Sequence, residues 1–98
     1  MDKSQLQKIT EKLSMEIKPK ESMDDWKIIV GNYDEFFSKY NIHIWVKLSP
    51  TDFETFINNA NDVGLRKWFD TISNYAVSKY KDLLSVDVKV KSIQIMCP

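Results

Sequence analysis

A short set of residues occurs twice in this sequence in the same order. The first copy runs from Trp26 to Tyr40 and the second from Trp68 to Tyr80. Each copy contains a tryptophan, then Asn-Tyr, then Ser-Lys-Tyr, and each is followed by a segment in which apolar and polar residues alternate. A duplicated helix–strand unit would produce this pattern and would give the fold pseudo-twofold symmetry. Because lysine, tyrosine, asparagine and serine are common in the chain, a chance match is the alternative.

The length and composition indicate one ordered domain over residues 1–98. A chain of 98 residues can bury a single hydrophobic core, and its 43% hydrophobic and 12% aromatic residues exceed what disordered chains contain. The single cysteine, Cys97, cannot form an internal disulfide and fits a reducing compartment. The chain begins without a signal-peptide pattern, and no apolar run approaches the ~20 residues that span a membrane. We therefore expect a cytoplasmic protein.

The charge balance argues against a dedicated nucleic-acid-binding protein. The chain has 14 basic and 14 acidic residues and a formal net charge of zero, whereas such proteins usually carry a basic excess. All basic residues except Arg66 are lysines, and arginine is the better partner for phosphates and base edges. The abundance of lysine, isoleucine and asparagine is typical of an AT-rich coding genome, such as that of a virus, a phage or a low-GC microbe.

The first half of the chain is predicted to contain two helices. Residues 2–17 have apolar side chains at helical spacing, and Pro19 ends this helix. Residues 22–40 are ambiguous, because their apolar residues keep a helical spacing for nearly four turns while Gly31 weakens a helix by about 1 kcal/mol. We predict a helix there; the alternative is a strand over 26–30, a turn and a short helix. The helical set in the ambiguous segment is Trp26, Ile29, Val30, Tyr33, Phe36, Phe37 and Tyr40.

The second half is predicted as strand, helix, helix and strand. Residues 41–48 alternate strictly and form a half-buried strand. Ser49-Pro50 is typical of a helix start, and we expect that short helix to reach about Ala60. Asn61 or Asp62 then caps a helix over roughly 62–83. Its predicted buried stripe is Leu65, Trp68, Phe69, Ile72, Ala76, Tyr80 and Leu83.

The last predicted strand covers residues 85–96. The apolar parity changes between Val90 and Ile93, which predicts a bulge near Lys91-Ser92 or a bend in the strand. Together the segments predict an α+β fold in the order α-α-β-α-α-β. In this fold, four helices pack on one face of a small antiparallel sheet, with an internal duplication as the source of the repeat.

The exposed face of that sheet is the candidate binding site. If the aliphatic residues of both strands face the helices, the other face carries His43, Trp45, Lys47, Lys89 and Lys91. An exposed tryptophan among lysines is unusual, because a tryptophan that stays in water forgoes roughly 2–3 kcal/mol of burial free energy. Three interpretations remain open. The face is a partner or dimer interface anchored by the tryptophan, or the N-terminal helix covers the tryptophan, or the face stacks on single-stranded nucleic acid.

The sequence contains no pattern that indicates catalysis, a metal or a cofactor. His43 is the only histidine and lacks nearby cysteines, so we expect a strand histidine that is hydrogen-bonded to a neighbour. The chain has two glycines and no glycine-rich loop that could hold a phosphate.

The sequence therefore predicts a small non-enzymatic protein–protein interaction module, such as an accessory or inhibitor protein of a virus or mobile element. Its partner would be a protein bound through the exposed face, without cofactor and without membrane. A homodimer is expected as well, because a two-stranded sheet leaves an unprotected edge. The alternative is a nucleic-acid-binding protein that uses the same residues.

Overall fold

The order of the elements differs from the expected one. The computed structural model describes residues 2–13, 23–58 and 60–96. In chain order the elements are helix α1 (Lys3–Lys12), strands β1 (Met23–Asp34) and β2 (Lys39–Leu48), helices α2 (Pro50–Asn58) and α3 (Asp62–Leu84), and strand β3 (Val88–Met96). The sheet has the order β1-β2-β3, with β1 antiparallel and β3 parallel to β2. The described residues thus form an α+β fold with three helices and a mixed sheet, and the prediction of four helices over an antiparallel sheet is wrong.

Strand β1 replaces the helix predicted over 22–40. Trp26, Ile28 and Val30 alternate along the strand and are buried, each opposite a buried residue of β2. Trp26 and Val30 satisfy both the helical and the alternating pattern, so apolar spacing alone does not distinguish a helix from a strand in this segment. The alternative of a strand over 26–30 had the right type of element, but residues 35–38 form a turn and not the start of a helix.

A capped turn joins β1 to β2. The Asp34 carboxylate accepts hydrogen bonds from the backbone N–H groups of Phe36 and Phe37, at 3.0 and 3.2 Å. Ser38 follows in the left-handed region with a φ of 54°, and Asp34 pairs with Lys39 across the hairpin. Aspartate at the first position of a turn satisfies the N–H groups that the reversing chain leaves free.

The two copies of the sequence repeat have different structures. The copy that begins at Trp26 forms β1, the turn and the start of β2, whereas the copy that begins at Trp68 lies entirely within α3. An internal duplication of a helix–strand unit is therefore wrong.

The parallel pairing of β2 and β3 follows from the connection between them. Residues 49–87 contain both α2 and α3, and a helical crossover of this kind returns the chain in its original direction. The predicted bulge is confirmed: Ile42 pairs with Val90 and His43 pairs with Ser92, so Lys91 is the extra residue.

The ends of the helices agree well with the sequence signals. The Ser49 hydroxyl accepts from the backbone N–H of Asp52 at 3.2 Å, and Asn61 accepts from Gly64 N–H at 2.8 Å. Asp2 caps α1 through a capping box with Gln5. Residues 14–17 of the predicted first helix lie outside the described residues, as do Pro19, Ser22 and Cys97.

The core lies between the sheet and the helices on one of its faces. It combines Leu6 of α1 with the alternating apolar residues of the sheet and with Ile72, Ala76 and Tyr80 of α3. Phe53 and Phe56 of α2 pack against the same cluster. All three helices therefore lie on this face, which we call the core face. None of these helices is long and apolar enough to cross a bilayer.

A buried hydrogen bond connects α1 with α3. The Thr10 and Tyr80 hydroxyls are 2.8 Å apart, and the Thr10 hydroxyl is also 2.7 Å from the carbonyl oxygen of Leu6. Burial raises the pKa of Tyr80 to about 12, although the hydrogen bond with Thr10 opposes this shift. Burial disfavours the phenolate because the charged form loses its hydration.

The predicted stripe of α3 is only partly buried. Ile72, Ala76 and Tyr80 are at most 1% exposed, but Leu65, Phe69 and Leu83 are 39, 37 and 46% exposed. The helix is 23 residues long, or about 34 Å at 1.5 Å per residue, and its fully buried residues lie in its middle and C-terminal half.

The outer edge of β1 is covered by a side chain. The Gln7 amide of α1 donates to the carbonyl oxygen of Ile28 at 3.2 Å and accepts from Val30 N–H at 2.6 Å. This glutamine takes the place of one residue of a neighbouring strand. It protects an edge that could otherwise pair with another chain.

Candidate functional site

The second face of the sheet carries the residues proposed for binding. Alternation along β2 places Ile42, Ile44 and Val46 in the core, so His43, Trp45 and Lys47 point to the other side. We call this side the open face, because the described helices all lie on the core face. Its residues are Lys27 and Ile29 of β1, Asn41, His43, Trp45 and Lys47 of β2, and Lys89, Ser92, Gln94 and Met96 of β3.

The strand register places Trp45 at the middle of the open face. Trp45 pairs with Lys27 on one side and with Gln94 on the other. One row further along, Met96 pairs with Lys47. Trp45 is half-buried among these neighbours, and α1 lies on the opposite side of the sheet. The interpretation in which the N-terminal helix covers Trp45 is therefore wrong for the described residues of α1.

His43 is held in place by both neighbouring strands. Its Nδ1 is 2.7 Å from the hydroxyl oxygen of Ser92, and a Cβ atom added to Gly31 would lie 3.1 Å from its Nε2. Among the described residues, no group of three or more histidine, cysteine, aspartate or glutamate side chains could hold a metal ion. The hydrogen bond to a strand neighbour agrees with the expectation for this histidine, and its ring is a fixed polar element of the open face.

The lysines of the open face have no carboxylate partner among the described side chains. Lys27 and Lys47 of this face are exposed, as is Lys91 at the bulge of β3. The ion pair that the described residues form joins Lys81 to Asp87 at 3.4 Å. Asp25 is opposite Lys47 in the register, which places one acidic position at this end of the face.

Lys89 differs from the other lysines because it is half-buried. Its Nζ lies 4.6 Å from the centre of the Phe37 ring, within the range of a cation–π contact. This contact ties the open face to the hairpin turn. Lys91, as the extra residue of the bulge, is exposed beside Lys89 on the edge strand.

The apolar and the charged residues of the open face occupy different positions. Ile29, Trp45 and Met96, which are partly buried, form a diagonal across the three strands, with Lys27 and Lys47 on one side of it and Lys89 on the other. Although the chain is neutral overall, its charge is not evenly spread: α2 contains Asp52 and Glu54 and no basic residue.

Several residues of the open face were missed by the sequence analysis. Lys27 and Ile29 were missed because β1 was predicted to be a helix, although the β-branched run Ile28-Ile29-Val30 was a usable signal for a strand. Gln94 and Met96 depend on the parallel register, which no local pattern reveals. No family model matches the sequence, and the searches of curated proteins and of solved structures find no similar protein.

Proposed function

We propose that this protein is a non-catalytic interaction module that binds an acidic protein on the open face, with Trp45 as the central anchor. The observation that supports this most is the apolar diagonal through Trp45 with lysines beside it. We call these lysines (Lys27, Lys47, Lys89 and Lys91) the lysine rim, and the described side chains include no carboxylate partner for them. Protein interfaces have this form, with a desolvated apolar core and a polar rim. Tryptophan and methionine are enriched in such cores.

The lysine rim determines which partners are favoured. Exposed ammonium groups attract an acidic surface at long range and increase the association rate at low salt. They contribute less to final affinity, because exposed ion pairs are weak. We therefore assign orientation to Lys27, Lys47 and Lys91, and most of the binding free energy to Trp45. A cytoplasmic location, which the single cysteine favours, belongs to the same proposal.

Single-stranded nucleic acid is the second candidate for this face. The lysines on this face favour it, since phosphates would meet them while a base stacks on Trp45. It is the weaker candidate for two reasons. Ile29 and Met96 offer no flat surface for a second base, and Arg66, the one arginine, lies on α3.

The test compares two variants that carry the same charge. In the first, Lys27, Lys47 and Lys91 are changed to glutamate; in the control, Lys3, Lys8 and Lys67 on the helices are changed to glutamate. Chemical cross-linking and affinity capture from nuclease-treated lysate identify the partner, and calorimetry with the purified partner measures affinity. We expect the first variant to weaken binding at low salt and the control to leave it within about twofold, since only the first disturbs the rim.

Trp45→Ala supplies the second arm of the test. A central tryptophan contributes on the order of 2 kcal/mol or more, so we expect affinity to fall by roughly thirtyfold or more. Circular dichroism confirms that the variant is folded. Capture that disappears with nuclease, together with salt-sensitive binding of a fluorescent oligothymidylate, would replace the protein partner with nucleic acid. Equal loss in both charge variants would show that the open face is not the site.

A further inference from the structure

The two edges of the sheet differ in how their backbone groups are satisfied. On the outer edge of β1, the Gln7 side chain bonds to the carbonyl oxygen of Ile28 and the N–H of Val30. On the outer edge of β3, no group of the described residues forms a hydrogen bond with the backbone. Because an unpaired edge is a template for another strand, the sheet can be extended at β3.

The backbone of β3 can be assigned residue by residue to one edge or the other. Tyr40 N–H donates to the Asp87 carbonyl oxygen at 3.3 Å, so the backbone of Asp87 points toward β2. Successive residues of a strand direct their N–H and C=O groups to opposite edges, which directs those of Val88 outward. The register continues this arrangement past the bulge, so Ile93 and Ile95 also present their N–H and C=O groups to the outer edge.

The side chains of the same two isoleucines are incompletely covered. Ile93 and Ile95 pack against the core but are only half-buried, whereas Ile44 and Val46, which pair with them on β2, are 0% exposed. The described helices therefore leave part of the core face uncovered along β3. A further strand would supply hydrogen bonds to the backbone and apolar neighbours to these side chains.

The C-terminal half of this edge is the part that is free to pair. Lys89 and Lys91 lie in the first half, where Lys91 forms the bulge, and lysines and bulges discourage pairing at an edge. Residues 92–96 contain no charged side chain, and their central triplet Ile93-Gln94-Ile95 is the same in both directions. The segment therefore complements a reversed copy of itself, as an antiparallel twofold pairing requires.

We infer that two copies of this chain form a dimer through residues 92–96 of β3, with a twofold axis that passes through Gln94 perpendicular to the sheet. Ile93 of each copy pairs with Ile95 of the other, and the two Gln94 side chains are opposite each other. The two three-stranded sheets become one, with all described helices on one side. Both outer edges of the joined sheet are β1 edges, which Gln7 covers, so the assembly closes at two copies.

This dimer does not rest on the proposed acidic partner. It uses the edge of β3, while Trp45 stays uncovered on the open face. Because Trp45 pairs with Gln94 in the register, the two tryptophans lie in one row on either side of the axis. They are three strand spacings of about 4.8 Å apart, or roughly 14 Å. The dimer therefore presents two copies of the open face on the same side.

A cysteine at the axis tests the pairing directly. Cys97, the only cysteine, is first changed to serine, and Gln94→Cys is added. In this register the two Gln94 positions form a non-hydrogen-bonded pair with Cα atoms about 4.5 Å apart, which a disulfide can bridge. Oxidised glutathione should therefore produce a covalent dimer on non-reducing electrophoresis. Lys91→Cys in the same background is the control and should stay largely monomeric, because its two copies lie roughly 20 Å apart.

Sedimentation velocity over a concentration series tests the same axis without a cross-link. We expect the wild-type chain to dimerise, and Gln94→Lys and Gln94→Glu each to weaken the dimer about fivefold or more at low salt, since like charges are then directly opposite. An equimolar mixture of the two variants should associate more tightly than either alone, because the axis then joins opposite charges.

The controls separate a lost interface from a lost fold. Gln94 is exposed, so its variants should fold, which circular dichroism verifies. Asn58→Lys, at an exposed position of α2, adds the same charge elsewhere and should leave dimerisation unchanged. A wild-type chain that stays monomeric at hundreds of micromolar would overturn the inference. So would equal cross-linking of the two cysteine variants, or a mixture that associates no more tightly than its components.

Discussion

The β1–β2 hairpin and α3 carry similar residues at similar spacings and have opposite structures. In the hairpin, the copy of the repeat that begins at Trp26 is extended and pairs with a neighbouring strand. In α3, the copy that begins at Trp68 is helical and contributes a single stripe to the core. The residues between the shared positions make the difference. Ile28, Ile29 and Val30 are β-branched and favour the strand, whereas α3 has the Asn61 cap and Ala76.

The two regions also differ in how completely they are buried. Seven apolar residues of β1 and β2 are each at most 7% exposed, while α3 is fully buried only in its middle and C-terminal half. The seven are Trp26, Ile28, Val30, Ile42, Ile44, Val46 and Leu48. The hairpin therefore forms the rigid part of the core, and the N-terminal half of α3 is a peripheral surface. This contrast predicts that truncating an apolar side chain lowers the free energy of unfolding more in the hairpin than in the N-terminal half of α3.

Truncation of a core residue should show the largest contrast. Ile44 lies in the central strand and is 0% exposed, so Ile44→Ala leaves a cavity and should lower the free energy of unfolding by about 3–4 kcal/mol. The matched change Leu65→Ala on α3 removes a side chain that is 39% exposed and should cost about 1 kcal/mol. Urea denaturation measures both. Similar losses at the two sites would mean that α3 is packed along its whole length.

The pH dependence of stability tests whether the C-terminal half of α3 shares the core with the hairpin. With the pKa of Tyr80 at about 12 in the folded protein and near 10 in the unfolded chain, the unfolded chain loses this proton first. Stability should therefore fall as pH rises from about 10 to about 12, by roughly 2–3 kcal/mol in total. The Tyr80→Phe variant should lack this part of the decrease. Parallel pH profiles for the two proteins would show that the phenol is hydrated.

The contact between α1 and β1 should have a smaller effect. Gln7→Ala removes the two hydrogen bonds to Ile28 and Val30 and should lower stability by about 1–2 kcal/mol. Hydrogen exchange of the Val30 amide should become faster, because its acceptor is the Gln7 side chain. Gln94→Ala, at an exposed position of β3, is the control. If Val30 exchange is unchanged in the Gln7 variant, the glutamine does not protect the edge.

The two glycines should respond with opposite signs. A Cβ atom at Gly31 would lie 3.1 Å from His43 Nε2 and 3.3 Å from the carbonyl oxygen of Asn41, so Gly31→Ala should destabilise by about 1 kcal/mol. Gly64→Ala in the first turn of α3 should stabilise by about 0.5–1 kcal/mol through helix propensity. Thermal unfolding compares them. Stabilisation at both positions would favour a helix at Gly31 and contradict the strand.

Much of the second half of the chain was predictable from local signals. The strict alternation in β2 indicated both the strand and the side that each residue faces. Ser49-Pro50 and Asn61 marked two helix starts, and the change of parity after Val90 marked the bulge. These signals work because they depend on the backbone's own hydrogen bonds and on the spacing of neighbouring side chains.

The first half and the complete binding face were not predictable in this way. His43, Trp45 and Lys47 were assigned to one face from β2 alone. The contributions of Lys27 and Met96 required the pairing partners of two other strands. Which strands are neighbours in a sheet depends on contacts between residues far apart in sequence. Such contacts produce no periodic pattern in the sequence from which the pairing could be predicted.

The sequence by itself determined which segments alternate, where two helices begin, and that a single neutral domain would carry an unusual tryptophan among lysines. Tertiary structure decided between strand and helix for residues 23–34. Trp26 and Val30 fit both patterns, and their burial opposite Val46 and Ile42 adds to the β-branched preference for the extended one. Tertiary structure also decided that β3 runs parallel to β2, because the connection through α2 and α3 returns the chain in its original direction. The open face requires both β1 and the parallel β3, because these two strands flank Trp45 of β2. All three described helices lie on the other side of the sheet.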